Sequence, residues 1–67
     1  MVEELKRLKY HVLMLNECIN KAINLSSGDS LNIDFLLKLD EANYHLMHAK
    51  KALDRLLFQL LVERRNP

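Results

Sequence analysis

An all-α fold, an antiparallel two-helix hairpin of coiled-coil type with the longer helix second, is the architecture this sequence predicts. Three observations lead there. Apolar residues recur at alternating steps of three and four along two long stretches, the spacing of a helix with one buried seam. The chain has one glycine, Gly28, and one proline, Pro67, so only "SSGDS" at 26–30 interrupts helical sequence. A link that short forces the two helices to fold back on each other.

Helix 1 is expected over about 2–25. Its seam runs through Leu5, Leu8, Val12, Leu15, Ile19 and Ala22. The loop is expected over about 26–32. Gly28 suits the left-handed conformation that closes a helix. Ser30 and Asn32 both suit the first cap of the next one, and Asp34 suits its positive end. Helix 2 is expected over about 33–64, with Phe35, Leu39, Ala42, Leu46, Ala49, Leu53, Leu56 and Leu60 as its seam. The alanines would let the helix axes approach closely. The whole chain, 1–67, forms one domain.

Length and composition bound what such a hairpin can be. Sixty-seven residues allow one thin core, and domains this small usually need a disulfide, a metal or another subunit. Cys18 is the one cysteine, so an internal disulfide is excluded, and a lone thiol fits a reducing compartment such as the cytoplasm. Ten Lys+Arg against nine Asp+Glu leave a net charge of +1 with the signs mixed, which argues against a nucleic-acid footprint. The N-terminal "MVEELKRLKYH" carries charges where a secretory signal needs an apolar run. No segment approaches 18 uninterrupted apolar residues, so no spanning helix is expected.

Two apolar stripes per helix are more than a hairpin can bury. Met14, Cys18 and Leu25 form a second stripe on helix 1, continued by His11. Leu36, Met47, Leu57 and Leu61 form one on helix 2. If Leu25 faces Ile33, paired positions sum to about 58 and helix 2 overhangs helix 1 over 57–64, about 12 Å. The segment "LLFQLLVERR" at 56–65 is thus apolar where its own chain offers no cover, and such a patch marks an interaction surface. Leu53, Leu57, Leu60 and Leu61 supply most of the anchors of a helix laid into a groove. The expected partner-binding residues are Leu57, Phe58, Leu61 and Val62, with Met14 and Cys18 on the flank of helix 1.

Catalytic and metal chemistry find little support. His11, His45 and His48 fall at similar heights, and Glu41 could add a carboxylate, but no Glu-x-x-His or His-Glu-x-x-His spacing is present. No metal and no cofactor are expected. One glycine cannot form a phosphate loop, and Cys18 lies two turns from His11, too far for a direct proton relay. Cys18 reads as a small buried hydrophobe, and Tyr10 and Tyr44 as outward amphipathic residues. The sequence predicts no enzyme.

The segment "EELKRL", the loop "SSGDS" and the long Ala- and Leu-rich "HAKKALDRLLFQLL" together resemble the small co-chaperones of type III secretion needle subunits. The resemblance spans nearly the whole chain and lies in length, loop position and pattern. It implies a cytoplasmic hairpin that binds and stabilises a helical-repeat chaperone, the pair holding the needle subunit before export. The alternative reading is a homodimeric four-helix-bundle regulator of the kind that binds RNA along one face. Lys6, Lys9, Lys50, Lys51, Arg55, Arg64 and Arg65 are the cations available for that. Aromatic interleaving for base stacking is absent. The apolar pattern leaves open whether the second face meets a copy of itself, as a homo-oligomer, or a different protein.

Overall fold

A computed structural model describes residues 1–26 and 32–65. They form two helices, α1 (Val2–Leu25) and α2 (Ile33–Arg65), packed side by side as an antiparallel hairpin in a rod 59 Å long and 15 × 12 Å across. The described residues contain no strand. At 33 residues against 24, the second helix is the longer one, as its uninterrupted apolar period dictates.

Local chemistry accounts for the helix ends. Glu3 and Glu4 place negative charge at the positive end of α1, whose first ladder bond runs from the Leu5 N–H to the Met1 carbonyl at 3.1 Å. At the other end, Ser26 donates to the Ile23 carbonyl twice, from its N–H at 3.2 Å and its Oγ at 2.7 Å, satisfying a carbonyl the helix leaves free. Asn32 caps α2: its Oδ1 accepts from the Asp34 N–H at 2.9 Å, and its carbonyl accepts from Leu36 at 3.1 Å. Such a cap contributes about 1 kcal/mol. The expectations for Gly28 and Ser30 lie outside the described residues.

The seam between the helices differs from the expected one by a rotation of each helix. The buried residues are Cys18 and Ala22 on α1, and Ala42, Ala49, Ala52 and Leu56 on α2. Their period continues through half-buried Leu8, His11, Leu15 and Leu25 on α1, and through Phe35, Lys38 and His45 on α2. Leu8, Leu15, Ala22, Phe35, Ala42, Ala49 and Leu56 therefore line the seam as expected. The other expected members do not. Leu5, Val12, Ile19, Leu39, Leu46, Leu53 and Leu60 remain 42–53 % exposed. Their places are taken by Glu4, His11 and Cys18 on α1 and by Lys38, His45 and Ala52 on α2.

The physical reason is size. Interiors are filled at crystal-like density, and a seam of Ala and Cys lets two backbones come closer than paired Leu would. The large aliphatics are then displaced to one side. What results is a thin core: among the described residues no large side chain is fully buried, and the buried set is mostly alanine. Burial stabilises by about 0.8 kcal/mol per CH₂, so this seam alone supports the hairpin weakly.

Register follows from cross-helix contacts. Arg55 meets Glu4 and Glu41 meets Cys18, pairs whose numbers sum to 59. Met1 accordingly lies beside Phe58, Gln59, Val62 and Glu63, lining one shallow groove with them. The overhang of α2 thus begins at Gln59 rather than Leu57, and spans about 10 Å.

Candidate interaction surfaces

The rotated seam gives the hairpin two unlike flanks. On one, positions 7, 14 and 21 of α1 run beside 34, 41, 48 and 55 of α2, and most of these residues are polar. Glu41 accepts two hydrogen bonds from Lys38 Nζ at 3.2 and 3.3 Å and one from Cys18 Sγ at 3.7 Å. The Lys38 ammonium holds the Glu41 carboxyl below its usual range, its hydrogen bond contributing most. Burial, then the neighbouring Glu41 charge, pushes the Cys18 thiol above its ordinary pKa. Near the open end, the Glu4 carboxylate is largely covered, 3.1 Å from Arg7 and 3.8 Å from Arg55. Its Oε2 is buried without a hydrogen bond, 3.8 Å from the Arg55 guanidinium.

Midway along this flank sits an aromatic cluster. His11 and His45 share a hydrogen bond, Nδ1 to Nδ1 at 2.9 Å, so one ring donates and the other accepts. His48 stacks on His11 with ring centres 5.1 Å apart. Tyr10 stands edge-on to His11 at 5.0 Å, and Tyr44 tilts against His48 at 4.3 Å. Burial lowers the pKa of His11, and His48 and His45 lower it further by making a second charge unfavourable. Glu41 is engaged by Lys38 and Cys18 and does not join the histidines. Among the described residues, no group of three or more His, Cys, Asp or Glu is placed to hold a metal ion.

The opposite flank is apolar along its length. Leu5, Val12 and Ile19 on α1 recur every seven residues, as do Leu39, Leu46, Leu53 and Leu60 on α2. With the observed register they form rungs across the two helices, Leu5 within one residue of the level of Leu53, Val12 of Leu46 and Ile19 of Leu39. Each rung is about half exposed. Sequence reasoning missed this surface because it assigned these residues to the seam. The spacing of Cys18, Ala22, Ala42, Ala49 and Ala52 was the signal available: small residues at a/d spacing on both helices mark where two backbones come closest.

A third surface is the end of α2. Phe58 is 69 % exposed, the most exposed of the aromatic side chains described, with Leu57, Leu61 and Val62 exposed beside it. Leu57, Leu60 and Leu61 line one shallow groove with Glu63 and Arg64, while Phe58 lines two others. The expected set Leu57, Phe58, Leu61 and Val62 is therefore brought together on one turn-and-a-half of helix. Met14 and Cys18 do not join it. Met14 is half-buried on the polar flank, and Cys18 is buried in the seam against Glu41, so it presents no surface to a partner.

Among the described residues, no helix is long and apolar enough to cross a membrane. No known protein family matches this chain, and comparison with curated proteins and with solved structures finds no match either.

Proposed function

We propose that this chain is a non-enzymatic partner-binding subunit, a cytoplasmic co-chaperone of the type III secretion kind that stabilises a helical-repeat chaperone holding the needle subunit before export. The observation that carries this reading is the apolar end of α2, where Phe58, Leu61 and Val62 stand in solvent beyond a core made mostly of alanine. A hairpin so thinly supported gains stability by laying such an end into a groove of another helical protein. The role needs binding energy and no reacting group. Resemblance in length, loop position and helix pattern supplies the kind of partner.

Retention on the tagged full chain, with everything held identified by mass, tests the reading. A helical-repeat protein recovered together with a small secreted subunit is the expected result. Phe58→Asp with Leu61→Asp should lose both while circular dichroism stays helical. Recovery of the chain with no such protein, or equal recovery by the double variant, overturns it.

A further inference from the structure

The geometry points to a second surface with a different occupant: the apolar flank pairs with the same flank of a second copy, with the two loops at opposite ends, to close a four-helix bundle. Three observations carry this, and none involves Phe58 or Leu61.

The first is the repeat. Both helices expose one aliphatic residue every seven positions on the same side, and with the seam this gives three core-facing positions per seven, the pattern of a bundle helix rather than of an isolated pair. The rungs lie about 10 Å apart, the heptad spacing of a bundle helix, and the same flank of a second copy supplies a matching set. A surface that must complement itself forms an isologous contact about a two-fold axis.

The second is area. The seven residues of the rungs, with Val2, Ile23, Leu36 and Leu57 along their edges, are each about half exposed. At roughly 80 Å² apiece they offer on the order of 900 Å² per copy, against about 800 Å² per partner in a standard stable interface.

The third is the order of residues along the two edges, and it selects the arrangement. The edge of α1 reads Val2, Lys9, Asn16, Ile23; that of α2 reads Leu36, Asn43, Lys50, Leu57. Lys9 and Lys50 lie at one level of the hairpin, Asn16 and Asn43 at the next. A two-fold that keeps both loops at one end stacks α1 on the partner copy's α2 at equal level, setting Lys9 against Lys50. The other two-fold lays α1 antiparallel on α1 and α2 antiparallel on α2. Lys9 then meets Asn16, Lys50 meets Asn43, Val2 meets Ile23 and Leu36 meets Leu57. Every apolar edge residue finds an apolar partner and no two lysines are opposed. Like charges set against each other disfavour an arrangement, so the charge order favours opposed loops.

Sedimentation of the full chain at micromolar concentration should give twice the 7.9 kDa of one chain. Leu46→Glu, at the middle rung where the axis passes, should weaken the dimer on the order of 100-fold. Leu37→Glu, exposed on the outer face, should leave it unchanged. Should the Leu46 variant unfold, cross-linking decides with the flank's rungs intact. In a Cys18→Ala background, Lys9→Cys with Asn16→Cys should oxidise to a covalent dimer, because the two sites in one chain are about 10 Å apart, too far to bridge. A monomer throughout overturns the proposal, as does a covalent dimer formed only by Lys9→Cys with Lys50→Cys. Loss of partner in the Phe58 and Leu61 variant with the dimer intact, or the reverse, tells failure of one surface from failure of the other.

Discussion

The two flanks of this hairpin are built on the same helices, at the same register, and close in opposite ways. On the polar flank most side chains find partners within the pair: Glu41 with Lys38 and Cys18, one Glu4 oxygen with Arg7, and His11 with His45. On the apolar flank seven aliphatic side chains stand half in water with nothing among the described residues laid over them. Polar groups can be completed within the pair because a hydrogen bond needs one partner at one distance. Aliphatic groups at the edge of a two-helix pair cannot, because excluding water needs cover on every side. The difference separates what the hairpin does for itself from what it leaves for another molecule.

The contrast can be broken most strongly on the apolar side. If that flank is where copies meet, the urea midpoint of the wild-type chain should rise with protein concentration, while that of Leu46→Glu should not move. A wild-type midpoint independent of concentration would remove the distinction between the flanks. Next in size is the seam that divides them. Ala49→Leu should cost about 1–3 kcal/mol in urea unfolding by forcing apart helices whose approach depends on a small side chain. Tolerance of leucine there would mean the seam is looser than its alanines indicate.

The polar flank should show itself in pH rather than in concentration. His11 has its pKa lowered in the folded hairpin, so between that value and the ordinary one the unfolded chain binds more protons. Its contribution is complete above about pH 6.5 and is lost as the pH falls below it. Melting temperature should therefore drop between pH 7.5 and 5.5, and His11→Leu should flatten that slope. The Glu41 carboxyl, also lowered, contributes above its ordinary range and fades only in more acidic solution, so the two are separable by pH. An unchanged slope in His11→Leu would place the titration elsewhere. Smallest of all is Lys38→Ala, expected to leave the urea midpoint nearly unchanged, because its bond to Glu41 lies within one helix and is half open to water.

How far these features were legible in the sequence depends on which chemistry wrote them. The helices and their bounds were legible because one glycine and one proline leave little choice, and Asn32, one of two residues suited to cap the second helix, does so. The side on which each helix meets the other was not. Leu8, Leu15 and Ala22 belong equally to two three-and-four series, one continuing through Leu5, Val12 and Ile19, the other through Glu4, His11 and Cys18. Hydrophobicity chooses the first; close packing chooses the second, since alanine and cysteine admit an approach that leucine does not. The same ambiguity hid the apolar flank and put Cys18 on a surface. The end of α2 did not suffer from it, because Phe58 and Leu61 lie outside both series.

The buried cysteine gives this small chain a clock. With its sulfur held between the helices beside Glu41 and its pKa raised, the Cys18 thiol is neither reachable nor ionised while they are together. A thiol reagent can consume it only in the moments when they part. At reagent concentrations low enough that closing outpaces labelling, its rate divided by that of an unhindered thiol at the same pH is the fraction of time the hairpin spends open. The molecule therefore carries its own unlabelled gauge of how often two helices held by alanines let go, and of how much a companion on either surface keeps them shut.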